Sequence, residues 1–462
     1  MSNEVKVIFE SNSAIAENET VKNFVKNSPA GHCSVLLKDE HYVVVKNDEK
    51  TPVSLEKVRA TAGNIARDLA SRKVETAFAA AEEITGGFAE LDKEDVLTAF
   101  VEGWNLGAYQ FVTYKPSVTP FRTALEVEGD GQVQSAVTTG EIRAEATAFS
   151  RDLMNEVSNV LNPETFPEVL KKQFEGTEVE VNVLDKEKLE EMEMNGVLTV
   201  GRGSTYKPAF VELVYKGDES KPLVALVGKG VTFDTGGISL KSGKDLSDMR
   251  MDMGGAAAVA GAMTLLAKSK AKANVVVLIP MVENMPDNTS VLPGEVITYK
   301  NGLTVQVGNT DAEGRLILAD ALIRAGELNA EYIVNIATLT GAVVNALGTE
   351  LGGVFGDEEL SAEIKKIGDK NGDFIWPMPL VEAYDNSLDS DYADMNNISS
   401  LSVAGSITAG LFLRRFVPKE SKWLHVDMAG VMDKSKASGY YAKSATGYGA
   451  RLLADFTTFV SK

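Results

Sequence analysis

Two acids two positions apart, Asp311 and Glu313, stand in the stretch Asn309-Thr310-Asp311-Ala312-Glu313-Gly314-Arg315-Leu316. In an extended segment, residues i and i+2 point to one side. Carboxylates held side by side raise each other's pKa. Such a pair is solvated, shares a proton or holds cations. A second stretch favours cations. Lys229, Asp234, Lys241 and Asp252 gather in a short glycine-rich segment behind the apolar run 223–227. Oxygen-rich donor sets suit Mg²⁺, Mn²⁺ and Zn²⁺, and carboxylates can bridge two ions. The chain holds three histidines, His32, His41 and His425, and no His-Glu-x-x-His. A histidine zinc centre therefore does not fit, and His425 reads as a core histidine on a strand. Any cation has to be held by carboxylates, with a lysine amine as the further donor.

The elements that must position these groups alternate along the chain. Arg315 continues the i+2 series, Gly314 lets the backbone bend, and 316–323 reads as an apolar helix, so the acidic pair sits on a loop entering a helix. The run 223–227, closed by Gly228, reads as a buried parallel strand. Further strands are expected at 179–183, 208–214, 274–279, 332–336 and 424–427, with a helix over 252–268. This alternation predicts an α/β architecture whose sheet is mixed, largely parallel and flanked by helices. Ligands in such folds bind beyond the carboxyl ends of strands, and Lys229, Asp311 and Thr338 each follow an expected strand. Upstream, 34–37 and 42–45 read as paired strands, and 55–74 and 93–108 as helices. Helical character runs from 140 to 170, broken at Asn162-Pro163, with a second helix from Pro163. The expected division is a smaller N-terminal α/β domain over 1–145, a connecting helical segment over 146–170 and a larger catalytic domain over 171–462. Gly129-Asp130-Gly131 reads as a surface turn, because no third glycine or following lysine supports a phosphate loop.

Composition narrows the function further. With 462 residues and 44% hydrophobic content, the chain can bury a large core. Its net charge of −20 argues against sequence-independent binding to nucleic acid or an anionic membrane. One cysteine, Cys33, allows no intrachain disulfide and fits a reducing compartment. Its neighbour His32 invites a thiol-nucleophile reading, but a small buried hydrophobe is the better one. The first residues, Met1 to Lys6, show no basic region followed by an apolar one, so no signal peptide is expected. The run 256–263 is shorter than the ~20 residues that span a bilayer. A soluble, cytoplasmic protein is expected.

The chain resembles the leucine aminopeptidase (cytosol aminopeptidase) family of dinuclear metallopeptidases. The resemblance rests on NTDAEGRL at 309–316, VGKGVTFDTGGISLK at 227–241, MDMGGAAAV at 251–259, ATLTGA at 337–342, AGSITAGLFL at 404–413, HVDMAGVM at 425–432 and ATGYGARLL at 445–453. It implies two divalent metal ions, Mn²⁺ or Zn²⁺, with Asp234 and Glu313 shared by both. Asp311 is implied at the more exchangeable ion, and Lys229 and Asp252 at the tighter one. A lysine amine in water titrates at ~10.4 and ligates only when neutral, so on spacing alone Lys229 reads as an ordinary ion-pair partner. A pair of dications makes ligation reasonable. The resemblance further implies Lys241 as the catalytic lysine and Arg315 as the holder of a bicarbonate ion acting as general base. Met249, Thr338, Gly341, Ala429 and Met432 are implied as the pocket for the first side chain, although by spacing they read as core. Together these imply an aminopeptidase that releases leucine-like N-terminal residues from peptides through a hydroxide bridging the metals. A homohexamer built as a dimer of trimers is also implied. A dimetal phosphoesterase and a DNA-binding architectural role are the alternatives, the latter opposed by the charge.

Overall fold

The computed structural model describes residues 4–28, 31–46, 52–243 and 245–462. Met1 to Asn3, part of the stretch read for a signal peptide, lie outside the described residues. The chain divides into two compact units, one comprising Met1–Ala148 with Lys434–Ser444, the other Phe149–Asp433 with Ala445–Lys462.

In the first unit, strands β1 (Glu4–Phe9), β2 (His32–Leu37), β3 (Glu40–Val45), β4 (Thr76–Ala80) and β5 (Ala124–Glu128) form a sheet in the order β2-β3-β1-β4-β5. The expected pair 34–37 and 42–45 is β2 antiparallel to β3; the other neighbours run parallel. Helices α1 (Leu55–Ser71) and α2 (Lys93–Gly107) lie where apolar spacing indicated. Their starts are capped by Ser54 and Asp92, whose side chains accept from first-turn amides. Cys33 is half-buried against Ile8, Ile15 and Val44. Burial pushes its thiol pKa up, the reverse of what a nucleophile needs.

Helix α3 (Gly131–Asn155) begins nine residues before the expected 140. Asp130, read as part of a turn, accepts from the amides of Gln132 and Val133 and so opens the helix. The boundary between units, Ala148 to Phe149, falls inside α3. The second helix of this region is Phe166–Phe174, not a continuation from Pro163, because Asn162 turns back to accept from the amides of Glu164 and Thr165. The expected span 171–462 also differs from the observed unit: Lys434–Ser444 groups with the N-terminal residues. Tyr440 there is fully buried, its Cα so close to Gly63 that a side chain on Gly63 would overlap it. A return of this kind between distant segments leaves no local mark in sequence.

The second unit is built on β6 (Val179–Leu184), β7 (Ala209–Lys216), β8 (Leu223–Gly228), β9 (Gly230–Asp234), β10 (Asn274–Asn284), β11 (Tyr332–Ala337), β12 (Gly352–Gly356), β13 (Ile375–Pro377) and β14 (Lys422–Asp427). The order is β13-β12-β14-β11-β8-β10-β7-β6, with β9 on β10. The core β14-β11-β8-β10 is parallel; β7 joins β10, and β12 joins β14, antiparallel. The fold is thus a two-domain α/β one with a mixed sheet flanked by helices. Strand β8 is an unbroken apolar run because helices cover both its faces. One cover is α4 (Gly254–Lys268), whose small residues are buried from Gly254 to Leu266. Another is α5 (Glu313–Glu327), buried from Glu313 to Leu322. Helices α6 (Gly341–Leu347) and α7 (Gly405–Arg414) follow. No helix among the described residues is long and apolar enough to cross a membrane.

Candidate metal centre

Three of the candidate side chains sit at the carboxyl ends of strands of the larger sheet. Lys229 directly follows β8, Asp234 ends β9 and Thr338 directly follows β11. Asp252 follows a short 3₁₀ turn, Ser247–Met251, just ahead of α4. Asp311 does not follow a strand of this sheet. Its loop comes from Thr304–Gln306, a strand of a separate three-stranded sheet. Glu313, Gly314 and Arg315 are already helical, with Ala312 as the N-cap of α5. The extended i+2 reading of Asp311, Glu313 and Arg315 is therefore wrong, since a helical turn, not a pleat, sets the direction of Glu313 and Arg315. Nor is Gly314 a bend. A Cβ there would lie 2.5 Å from Cε and 2.8 Å from Nζ of Lys229, so glycine is needed for space.

Two lysines are threaded between four acids. The Lys229 amine lies 2.7 Å from Asp252 Oδ2 and 2.9 Å from Glu313 Oε1, and donates to the Thr338 carbonyl at 3.1 Å. The Lys241 amine lies 2.7 Å from Asp234 Oδ2 and also pairs with Asp311. Asp234, Asp252 and Glu313, all buried, each offer an oxygen within 4.8 Å of the others. After Asp234 the chain turns through Gly236 and Gly237 at φ +88° and +64°, a region glycine enters without strain. This reversal carries Lys241 back over the acids.

The electrostatics follow from crowding away from water. Burial, reinforced by Asp234, pushes the Glu313 carboxyl up to about 8. Burial lifts Asp252 to about 6 although Lys229 pulls it down, and burial also raises Asp311. Burial works to lower both lysines, but the neighbouring carboxylates outweigh it and hold both above the usual lysine value. Four carboxyl groups share two amines, and with no further cation the Glu313 carboxyl, raised to about 8, stays largely protonated at neutral pH. Glu313 Oε2 is shielded from solvent and accepts no hydrogen bond among the described residues. A buried carboxyl oxygen without a partner, among acids that outnumber their amines, is the environment a divalent cation fits by displacing the proton. A dication would also supply the positive charge that lets a lysine amine go neutral.

Arg315 is buried and donates through Nη1 to the Asn397 carbonyl at 2.9 Å. Its Nε has no partner among the described residues. Burial lowers its pKa to about 10, with Glu313 and Asp427 holding it up, so it stays charged at neutral pH. Lys229, Asp311, Glu313 and Arg315 line a cavity of about 680 Å³. Leu339, Gly341, Met378, Ile398 and Ile407 supply apolar wall and backbone. Of the expected pocket residues, Gly341 alone lines this cavity. Thr338 instead donates its hydroxyl to Asp252 Oδ1 at 2.8 Å. Met249, Ala429 and Met432 are half-buried and not part of the cavity wall. His425 is buried on β14, as a core histidine should be.

The family model described as the cytosol aminopeptidase family, catalytic domain, matches residues 148–454, and that of the family's N-terminal domain matches 41–117. The chain belongs to the cytosol aminopeptidase family. As a member it is a metal-dependent aminopeptidase, a hydrolase of peptides. A probable cytosol aminopeptidase of Persephonella marina is 35% identical over 425 residues, spanning 91% of this chain and 85% of that one. Its counterpart in Corynebacterium diphtheriae is 40% identical over 357 residues, 76% of this chain and 71% of that one. The bottromycin maturation enzyme BotP shares the fold with a TM-score of 0.88 at 29% identity over 100% of both chains. A structure of BotP in complex with Mn gives 0.89.

Several residues of this cytosol aminopeptidase's site carry no motif that would reveal them. Asn284, ending β10, donates to Asp234 Oδ1 and to the Thr310 carbonyl, both at 2.9 Å. The one available signal is a buried amide closing an apolar strand. Asp427 accepts from the amides of Leu339 and Ala429 and from the Thr340 hydroxyl. Asn397 lies far downstream in an unremarkable run of polar residues, where nothing local points to it.

Proposed function

We propose that this aminopeptidase holds two divalent ions through Lys229, Asp234, Asp252, Asp311 and Glu313, with Asp234 and Glu313 common to both. The observation that carries the reading is the buried trio Asp234, Asp252 and Glu313 with mutually close oxygens and one orphaned Glu313 oxygen. The Mn complex of BotP supports manganese as a suitable ion. When bound, such ions lower the pKa of a coordinated water toward ~7 and polarise the scissile carbonyl.

The chain's own groups do the rest. Lys241, half-buried and protonated at neutral pH, donates to the carbonyl oxygen as that oxygen gains charge. Arg315, charged and with an Nε–H that has no partner among the described residues, would hold a small anion such as bicarbonate, which would supply the proton acceptor. With the ions in place, the free α-amine of a peptide would be held at one of them, which would restrict cleavage to N-terminal residues. Leucine-like side chains are the preferred first residue. The apolar wall beside Gly341, where Met378 lies with Leu339, Ile398 and Ile407, supports this, because methionine adapts to branched aliphatic groups. A cytoplasmic homohexamer is proposed on family likeness, and sedimentation giving a monomer at micromolar protein would refute it.

The test of the function is turnover of leucine p-nitroanilide against p-nitrophenyl phosphate with added Mn²⁺. Cleavage of the amide alone is expected. Preferential phosphate release would replace the proposal with a phosphoesterase.

A further inference from the structure

Asp311 must be presented to the centre by a loop with no regular structure of its own. Residues 308–312 lie between a three-residue strand and the first turn of α5. Backbone in that state keeps its shape only when its polar groups are held from outside. One side chain does most of the holding. The Asn397 carboxamide oxygen accepts from the amides of Gly308 at 2.8 Å and Asn309 at 3.2 Å. Its nitrogen donates to the carbonyls of Asn309 at 2.7 Å and Ala312 at 3.3 Å. The bonds straddle Asp311, gripping the loop on both sides of it.

Asn397 is itself fixed. It is fully buried, and its amide donates to the Gln306 carbonyl at 2.9 Å, extending the parallel pairing of Met395–Asn396 with Thr304–Gln306. Its own carbonyl accepts from Arg315 Nη1. One residue thus ties the loop carrying Asp311 to the helix turn carrying Glu313 and Arg315. The work needs an acceptor and a donor on one short planar head, and among side chains asparagine alone supplies both at this length. Aspartate has the same shape but would turn an oxygen toward the carbonyls of Asn309 and Ala312.

We propose that Asn397 is a positioning residue for metal binding, setting the affinity of the ion held by Asp311 without touching it. This rests on the metal assignment above. Because the Arg315 contact uses the Asn397 backbone, exchanging the side chain leaves that contact available and acts through the Asp311 loop. Partners behind metal ligands typically change affinity or activity ~10- to 100-fold.

The experiment is a calorimetric titration of Mn²⁺ into the metal-stripped full chain, comparing wild type with Asn397→Asp, Asn397→Ser and Asp311→Ala. Each protein's fold is checked by circular dichroism, and Asn397→Ser adds no buried charge should Asn397→Asp not fold. For the Asn397 variants the proposal expects about 10-fold or more weakening of one Mn²⁺ site. Activity should need correspondingly more Mn²⁺, with kcat at saturating Mn²⁺ falling less. A merely structural role would lower the melting temperature and leave the Mn²⁺ isotherm unmoved, which overturns the proposal. If Asp311→Ala also leaves the isotherm unmoved, the metal assignment itself fails; if it weakens binding and the Asn397 variants do not, only the positioning role fails.

Discussion

Gly314→Ala sets two effects of opposite sign against each other. Gly314 is in the first turn of α5, and alanine in a helix is favoured over glycine by about 1 kcal/mol. Against this, the new methyl would lie 2.5 Å from Lys229 Cε and 2.8 Å from both Cδ and Nζ. A surface lysine would swing aside. Lys229 is 3% exposed, and its amine is tied to Asp252, Glu313 and the Thr338 carbonyl. Moving it breaks buried charge pairing, which costs about 3–5 kcal/mol. The clash should win, leaving the variant about 2–4 kcal/mol less stable after the helical gain. Mn²⁺ binding should weaken as well, since Lys229 and Glu313 are both proposed ligands. Urea unfolding and Mn²⁺ calorimetry read the two effects. A variant about 1 kcal/mol more stable than wild type, with unchanged Mn²⁺ binding, would refute the claim that Gly314 is kept for space rather than for backbone freedom.

Gly341 is the contrasting glycine, for a Cβ there meets nothing within 4 Å. Gly341→Ala should therefore fold normally and lower kcat/KM for leucyl p-nitroanilide more than for the alanyl substrate; equal effects on both would remove Gly341 from the specificity pocket. Asp311→Ala should abolish turnover with an unchanged circular dichroism spectrum, and full activity would end the metal assignment. Lys241→Ala should cut kcat far more than bound metal, whereas parallel losses would make Lys241 structural. His425 offers a pH test. Trp423 Nε1 donates to Asn335 Oδ1, so the Asn335 amide nitrogen faces His425 Nδ1, which must be an unprotonated acceptor. Burial, with Arg315 adding repulsion, lowers the His425 pKa to about 3. The unfolded chain takes up that proton near pH ~6.5, so the stability due to neutral His425 is present above that pH and is lost as pH falls toward 3. Between pH 7 and 5, wild type should lose about 2 kcal/mol more than His425→Gln in urea unfolding, and matching losses would contradict it.

Element types are legible in the sequence wherever one periodicity dominates. The apolar run that forms β8, the alternating β6 and the amphipathic α1 lie within a few residues of expectation, because burial on two faces, one face or a stripe writes itself into residue order. The acids and lysines are legible too, since carboxylates crowded along a glycine-rich stretch are costly unless charge is brought to them. Local pattern fails where a helix begins one turn early. The i+2 spacing puts Glu313 and Arg315 on a pleat, although their directions come from α5, and it makes Gly314 a hinge, although it is a gap for Lys229. Which residues hold the loop is decided by the tertiary structure alone. Asn397 reaches Gly308 and Asn309 from 89 and 88 positions away, and Tyr440 lies beside Gly63 from the far end of the chain. A hydrogen bond or a steric fit depends on distance in space, and sequence records that distance only when it is short along the chain.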